Sequence, residues 1–317
     1  MPARLAVPAG LAIGCALDAL FGDPSRRHPV ALFGRAAGAL ERRLYADDRR
    51  SGAVFAAAAV VPLTAAAFVV DRAATRRPVV RAGLVAAATW AALGGCSLRR
   101  AGAAIESRVR AGDLVGARQL IPTLCGRDPQ SLDLDGVTRA AVESLAENTS
   151  DAVVGPLVWG ALAGLPGVVG YRAVNTLDAM VGHRTPRYAR FGTASARLDD
   201  FANLAPARLT GAITLAAAPA VGGDAAAGWR AWRADAPRHP SPNAGVCEAT
   251  AAGVLDLQLG GPTVYAGRTE LRPVLGSGRR PGVGDIARAA RLSRAVQLGA
   301  LAVCATAAAL LPDGAGA

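Results

Sequence analysis

GAVFAAAAVVPLTAAAFVV, residues 52–70, is the stretch that decides the fold, because it carries no charge and Asp71-Arg72 end it at once. A helix needs about 20 mostly apolar residues to cross a bilayer. Further windows of this kind lie at 4–20, 79–95, 152–170, 207–222 and 295–311. We therefore predict an all-α, multi-pass integral membrane protein that forms a single membrane-embedded domain over residues 1–317.

The composition supports this class and excludes others. Hydrophobic residues make up 52% of the 317 positions, and the net charge is +11. Every positively charged side chain apart from histidine is Arg, since there is no Lys. The arginines lie between apolar segments without interleaved aromatics, which is typical of juxtamembrane positions and not of a nucleic-acid interface. The five cysteines are far apart, so neither a disulfide framework nor a zinc site is indicated. Window 4–20 runs into Gly22-Asp23-Pro24 without a small-residue cleavage site, so we expect it to be retained.

Two apolar windows, 152–170 and 207–222, are interrupted by Gly and Pro. If both crossed the membrane, the Arg-rich loop 171–206 would lie opposite the other long polar stretches, against the positive-inside rule. We therefore predict that they are re-entrant or broken helices, which are tolerated where they line a polar cavity. This arrangement would bring the polar loops together in one site facing the cytoplasm.

Two polar segments have readable local structure. Residues 135–149 predict a helix, with Asp133 or Asp135 as N-cap. Residues 236–285 are rich in Pro and Gly, so we expect mostly loop and turn there.

The segment RAAVESLAENTSD, residues 139–151, carries three acids at helical spacing. Glu143, Glu147 and Asp151 would share one face of a helix, beside Asn148. A solvated acidic face is the ordinary interpretation of such a pattern. These acids run directly into an apolar segment, however, where unpaired carboxylates are costly. A Mg²⁺ ion, which needs only one or two carboxylates together with water and phosphate oxygens, would offset that cost.

The segment 171–208 is the richest in polar groups. Asn175 and Asp178 fall within one helical turn, and Asp199, Asp200 and Asn203 fall within another. Arginines at 172, 197 and 208 could hold phosphate or carboxylate oxygens in bidentate fashion. A role as an N-cap or in a surface ion pair would explain each of these residues taken singly. The occurrence of the whole set next to membrane segments favours a substrate-binding or metal-binding site.

Two of the three histidines precede proline, in Arg27-His28-Pro29 and Arg238-His239-Pro240. The residue before proline is held extended or in a turn, which can fix an imidazole against a substrate. The sequence has no Walker A motif and no G-x-G-x-x-G, so a nucleotide would bind by another arrangement.

These motifs match a known family in order. The matching segments are GDPSRRHPVALFGR (22–35), CGRDP (125–129), RAAVESLAENTSDAVVGPLVW (139–159), YRAVNTLDAMVGH (171–183), FGTASARLDDFANLAPARLT (191–210), APRHPSPNAGVCEATAAGVLDLQLGG (236–261) and VYAG (264–267). The chain thus resembles the adenosylcobinamide-phosphate synthases, the CbiB/CobD family of cobalamin biosynthesis. Pro129 and Val246-Cys247 depart from the residues usual in that family.

The resemblance implies an inner-membrane ligase that joins adenosylcobyric acid to (R)-1-amino-2-propanol O-phosphate, or to a close amino-alcohol relative, as an amide. It implies Mg²⁺ as cofactor and ATP as co-substrate, with the corrinoid as substrate. The expected partners are these substrates, the lipid bilayer and other cobalamin-assembly enzymes at the membrane, with no nucleic acid.

Motifs and resemblance together give the candidate site. The candidate catalytic residues are His28, Glu147, Asp178, Asp199, Asp200 and His239. The candidate substrate-binding residues are Arg127, Asn148, Arg172, Asn175, Arg197, Asn203, Arg208, Ser241, Asn243 and Glu248. The candidate metal ligands are Glu143, Glu147, Asp151, Asp199 and Asp200.

Three other functions compete with this hypothesis. A non-enzymatic membrane protein of the related β-lactamase-induction family would have no reason to keep the whole set of acids, amides and arginines. A transporter would share the broken helices but would show two similar halves. A soluble Arg-rich helical protein is the third, and extraction by carbonate would identify it.

Overall fold

The structure is a computed structural model that describes residues 1–24, 28–183, 185–265 and 268–311. Residues 25–27 and 266–267, which belong to two of the family motifs, and Arg184 lie outside the described residues.

The described chain is almost entirely helical. Its α-helices are α1 (Ala6–Phe21), α2 (Pro29–Leu44), α3 (Arg49–Ala74), α4 (Pro78–Ala92), α5 (Gly95–Arg110), α6 (Leu114–Leu120), α7 (Leu134–Thr149), α8 (Gly155–Leu177), α9 (Thr193–Ala202), α10 (Leu204–Ala216), α11 (Ala225–Asp235), α12 (Ala244–Leu255) and α13 (Gly284–Leu310). Two antiparallel strands, β1 (Leu259–Tyr265) and β2 (Arg268–Leu275), form a hairpin between α12 and α13. Single π-helical turns follow α7 at Ser150–Val154 and α8 at Asp178–Gly182.

The fold is that of a multi-pass membrane protein. Among the described residues, five helical stretches are long and apolar enough to cross a bilayer: Ala3–Phe21, Arg49–Ala74, Pro78–Arg110, Leu134–Gly182 and Gly284–Leu310. These contain four of the six predicted windows in full and a fifth, 295–311, up to residue 310. The sixth window, 207–222, covers most of α10, whose 13 residues rise only about 20 Å, and the 3-10 turn Ala218–Val221 that follows. The helix is short for a full crossing, and the re-entrant path stays a prediction.

The chain forms two compact units. Unit 1 comprises Met1–Gly94, Asp151–Ala205 and Ala300–Ala317, and unit 2 comprises Gly95–Ser150 and Pro206–Gly299. The single-domain organisation over 1–317 stays a prediction.

Close helix packing organises unit 1. Gly10 and Gly14 on α1 lie against Val85 and Thr89 of α4, and a Cβ at either glycine would come within 2.6 Å of the facing side chain. The pair is therefore a small-xxx-small contact of the kind that lets membrane helices approach closely.

Helix α8, also in unit 1, is broken as predicted. Gly164 has φ +63°, outside the helical range, and Pro166 follows it inside the same element. A positive φ is readily adopted by glycine, and proline removes a helical hydrogen bond, so the interruption is encoded locally.

Unit 2 confirms one local prediction and overturns another. Helix α7 begins after Asp133, whose carboxylate accepts from the Gly136 N–H at 2.7 Å, as an N-cap should. The expectation of loop and turn over 236–285 is wrong, since this region contains α12 and the hairpin. Every residue of α12 is buried, so the helix has no polar face and no amphipathic pattern that a sequence could show.

Candidate functional site

Unit 2 contains a buried group of carboxylates and guanidinium groups held by α7, α12 and β2. Glu143 lies on α7 and its carboxylate pairs with Arg127, with both side chains nearly inaccessible to solvent. The other oxygen of Glu143 accepts from the Gly260 backbone N–H at 2.6 Å. Gly260 has φ +82° in β1, a conformation that glycine adopts without the steric cost borne by other residues. Glu143 thus ties α7, the CGRDP segment and the hairpin together.

Glu248 on α12 is the most strongly perturbed acid of this group. Burial raises its pKa well above the ordinary value, and the nearby carboxylates of Glu147 and Glu143 raise it further, against the opposing effect of Arg127 and Arg272. Its helix is too short to span a membrane. A cation or a cationic substrate near Glu248 would oppose this shift by favouring the ionised carboxylate.

His239 lies between Glu248 and Arg272. Its Nε2 is 3.8 Å from Glu248 Oε1 and 3.1 Å from Arg272 Nη1. A guanidinium can only donate, so Nε2 accepts from Arg272, while Nδ1 lies 3.1 Å from both the Ser241 carbonyl oxygen and the Ser241 backbone N–H. Burial lowers the pKa of His239, the Ser241 backbone hydrogen bond opposes that shift, the charge of Arg272 lowers the pKa further, and Glu143 raises it. The net shift is downward, which favours the neutral ring, and Nε2 faces Glu248 and Arg272.

The segment His239–Asn243 also shapes the start of α12. The Ser241 hydroxyl accepts from the backbone N–H of Ala244 at 3.1 Å and of Asn243 at 3.3 Å, which makes Ser241 a capping residue. Asn243 is buried, and its side-chain oxygen accepts from Arg208 Nη1 at 2.6 Å. These three predicted substrate-binding residues therefore hold the loop and the helix in place.

Unit 1 contains a separate polar network centred on Asp199. The two carboxylate oxygens accept from the side-chain amides of Asn175 at 3.2 Å and Asn203 at 2.9 Å. The amide oxygens accept in turn from Arg172 Nη1 at 3.1 Å and from the Tyr171 hydroxyl at 2.8 Å. Each amide is fixed in orientation because one end accepts and the other donates.

Asp199 has opposed influences on its ionisation. Burial raises its pKa, the amide hydrogen bonds of Asn175 and Asn203 lower it, and the charge of Asp200 raises it again. A carboxylate fixed by two donors in a half-buried place is suited to orienting a cationic or metal-bound group.

His28 also lies in unit 1, where it is the N-cap residue of α2. Its Nδ1 accepts from the Val30 backbone N–H at 3.2 Å. Burial lowers its pKa, Asp23 opposes that shift, and Arg172 adds to it. His28 thus shares an electrostatic environment with Arg172, although its Nδ1 is occupied by the helix cap.

The remaining predicted residues are placed as follows. Asp178 lies in the π-helical turn after α8, and Arg197 is exposed on α9 beside Asp200. Asn148 donates to the Ser144 carbonyl at 3.0 Å on its own helix. Asp151 follows the end of α7 in a π-helical turn, so the regular α-helical spacing from Glu143 and Glu147 does not extend to it.

The fit of these groups to Mg²⁺ depends on which carboxylate oxygens are open to a cation. Among the described residues, no three His, Cys, Asp or Glu side chains form a group placed to hold a metal ion. Mg²⁺ needs fewer protein ligands than this, since water and phosphate oxygens complete its shell. The electrostatic coupling of Glu248 to Glu147 and the fixed carboxylate of Asp199 fit a cation in that way, whereas both oxygens of Glu143 already accept protein hydrogen bonds.

Four contributors were missed by the sequence reasoning: Arg272, Gly260, Tyr171 and Asp23. Tyr171 and Asp23 stand inside quoted motifs and could have been found there. Arg272 lies on β2, 33 positions beyond its histidine partner, and no local pattern signals that pairing.

Asp199→Asn is expected to destabilise unit 1. The new side-chain NH₂ group is a donor where the Asp199 carboxylate accepted, so one of the hydrogen bonds from the Asn175 and Asn203 amides is lost. A buried polar group left without its hydrogen bond costs about 1–3 kcal/mol. Thermal unfolding in detergent measures this loss. Asp47→Asn, at an exposed aspartate of the same unit, is the matched control and should unfold as wild type does. Equal midpoints for both variants would contradict the importance of the network.

The membrane-length helices, and the acids, histidines and arginines buried in the polar segments, define a multi-pass membrane protein with buried polar groups. The family described as CobD/Cbib protein matches residues 11–293, and the chain belongs to this family. It is 55% identical to the cobalamin biosynthesis protein CobD of Mycobacterium tuberculosis over 92% of each chain. It is 42% identical to the protein of that name from Chromobacterium violaceum, over 89% of this chain and 90% of the relative. No solved structure matches the chain.

Proposed function

We propose that the protein acts in cobalamin biosynthesis as an adenosylcobinamide-phosphate synthase of the inner membrane, with its site facing the cytoplasm. It would join the carboxylate of adenosylcobyric acid to the amine of (R)-1-amino-2-propanol O-phosphate, at the expense of ATP. Membership of the CobD/CbiB family supports the pathway, and the chemistry of the buried groups supports the reaction.

The observation that carries the proposal is the group formed by His239, Glu248 and Arg272 in unit 2. Burying acids and cations together seldom benefits stability, because the desolvation cost is comparable to the attraction gained. Perturbed titratable groups of this kind are typical of reacting sites. A neutral imidazole beside an acid and an arginine is suited to a reaction that moves a proton from an amine while phosphate groups are held.

The reaction has two balanced steps. A carboxylate oxygen of the corrinoid attacks the γ-phosphorus of ATP, which forms an acyl phosphate and releases ADP. The amine nitrogen then attacks the acyl carbon, inorganic phosphate leaves, and the nitrogen gives up one proton. Positioning and neutralisation of charge supply most of the catalysis in phosphoryl transfer.

In this mechanism the proton of the amine passes to Nε2 of His239. His28 is the weaker candidate, since its Nδ1 caps α2. Arg272 now bonds Nε2 and would transfer to a phosphate oxygen of the substrate, which frees the base when substrate is present. The side chain of His239 is 3% exposed, so bulk water has little access to Nε2.

Within unit 2, Glu143 fixes Arg127 for binding a phosphate or carboxylate oxygen, and Glu147 with Glu248 would hold Mg²⁺. Within unit 1, the Asp199 network fixes Arg172 in the same way, and Asp199 with Asp200 would hold a cation. When bound, the ion neutralises the charge of the transferring phosphate.

The test is amide synthesis by the purified full-length protein in lipid nanodiscs. Adenosylcobyric acid, aminopropanol phosphate, ATP and Mg²⁺ should yield adenosylcobinamide phosphate with one ADP per amide, detected by mass spectrometry. Omission of ATP or of the amine should abolish the product. Absence of product in the complete mixture, with an active family member assayed in parallel, would refute the proposal, and uptake of corrinoid into proteoliposomes instead would indicate a transporter.

A further inference from the structure

Arg139 on α7, which the proposed mechanism does not use, lies against the hairpin of unit 2. This residue begins the segment RAAVESLAENTSD and is half-buried. Its Nη2 donates to the Pro262 carbonyl of β1 at 2.9 Å. Among the described residues, no carboxylate forms an ion pair with Arg139, and its buried Nε has no hydrogen-bond acceptor. A neutral carbonyl therefore fixes the guanidinium in place and leaves its positive charge available to an anionic ligand.

Glycine at position 261 keeps the space beside this guanidinium open. Gly261 in β1 has φ +85°, a conformation that glycine adopts readily and other residues do not. A Cβ at this position would lie 3.3 Å from Nη1 of Arg139. Any longer side chain would cover that nitrogen. The hairpin thus presents backbone, and no side chain, next to Nη1.

The same position of β1 lies close to the proposed general base. Gly261 is the partner of Arg272 across the hairpin, and facing residues of an antiparallel pair have Cα atoms about 4.5–5.5 Å apart. Arg272 Nη1 is 3.1 Å from Nε2 of His239. Arg139 also lies one helical turn before Glu143 on α7, which corresponds to roughly 5–6 Å between Cβ atoms. Arg139 therefore flanks the place of proton transfer within unit 2.

The amine substrate of the proposed reaction carries a phosphate close to its nitrogen, on the carbon adjacent to the one that bears the amine. When the nitrogen meets Nε2 of His239, the phosphate must therefore contact a protein group near that base. A guanidinium is well suited to this contact, because its charge and its N–H donors match phosphate oxygens. Arg139 offers such a group beside Gly261, already held in position by Pro262.

We propose that Arg139 binds the phosphate group of the amino-alcohol substrate and thereby selects the phosphorylated amine over the free amino alcohol. This inference rests on the function proposed above. The competing role is structural, as a tie between α7 and the hairpin through the Pro262 carbonyl. Such a tie would stabilise the unit without distinguishing one amine from the other.

The test is equilibrium dialysis of radiolabelled (R)-1-amino-2-propanol O-phosphate against the full-length protein in nanodiscs, without ATP or corrinoid. Arg139→Gln should weaken binding roughly ten- to hundredfold, as loss of a hydrogen bond between charged groups does. Arg139→Lys keeps the charge and should bind with intermediate affinity. The matched control is Arg118→Gln, at another half-buried arginine of unit 2 whose Nε donates to the Leu132 carbonyl at 2.7 Å. This control should change binding by less than about threefold.

The free amine 1-amino-2-propanol separates a phosphate contact from a loss of folding. Radiolabelled free amine should bind equally to wild type and Arg139→Gln, since it has no phosphate for Arg139 to hold. In the amide assay, Arg139→Gln should raise the KM for the phosphorylated amine with little change in kcat, as expected when a binding contact common to ground and transition states is lost.

Two results would overturn the proposal. One is equal binding of the phosphorylated amine by wild type and Arg139→Gln, and the other is an equal loss of affinity for both amines. Failure of the wild type to form amide would refute the synthase function and leave the dialysis result standing, because the dialysis measures the Arg139 contact without the reaction.

Discussion

His239→Gln is expected to lower kcat/KM for amide synthesis by about 10²–10⁴-fold, the usual contribution of a positioned general base. The glutamine keeps the size and hydrogen bonding of the ring but cannot take a proton from the amine. The rate of product formation in nanodiscs measures the effect. His183→Gln, at an exposed histidine of the same chain, is the matched control and should leave the rate unchanged. Wild-type kinetics in His239→Gln would exclude this residue as the base.

The pH profile tests the role of Arg272 as a positioning residue. Burial and Arg272 hold the pKa of His239 below its ordinary value of 6.5, so the base stays neutral and the acidic limb of kcat/KM should lie below pH 6.5. Arg272→Gln removes the positive neighbour, which raises the pKa of His239 and moves that limb to higher pH. The activity of this variant should therefore be lost at mildly acidic pH and recover partly in alkali. An unshifted limb would show that Arg272 does not act through His239.

Glu143→Gln is expected to lower the free energy of unfolding by about 3–5 kcal/mol, because it breaks a buried ion pair and leaves the charge of Arg127 buried. The side chains of Arg127 and Glu143 are 9% and 3% exposed, so solvent cannot screen the loss. Unfolding in mixed detergent micelles measures it. The double variant Glu143→Gln, Arg127→Met should regain part of the stability, since it removes both charges.

The control for this change is Glu106→Gln. Glu106 pairs with Arg110 one helical turn away, and Arg110 is 57% exposed, so the loss should stay under about 1 kcal/mol. Equal effects of the two glutamate variants would contradict a special role for the buried pair.

The membrane helices could be predicted because their signal is local. The window 52–70 is uncharged, and α3 extends beyond it at both ends, from Arg49 to Ala74, with the Asp48 side chain capping its first turn. The break in α8 was likewise foreseen from Gly and Pro. In contrast, α12 was missed because Pro240 and Pro242 precede it and because it is buried on all sides. Periodicity detects a helix only when the two faces differ.

The sequence identified many residues of the candidate site but not the contacts between them. The motifs contained Glu143, His239 and Glu248, and spacing along one helix correctly related Asn203 to Asp199. Spacing could not pair Glu143 with Gly260, 117 positions away, or His239 with Arg272. Those pairs arise from the packing of the hairpin, and the hairpin itself was not foreseen.

Isotope transfer tests the central claim most directly. Adenosylcobyric acid labelled with ¹⁸O in both oxygens of its reacting carboxylate is incubated with the purified protein, aminopropanol phosphate, ATP and Mg²⁺. The account predicts that each amide formed retains one ¹⁸O, and that the other appears in inorganic phosphate. Absence of the amide, or an amide formed without ¹⁸O in the phosphate, would contradict it.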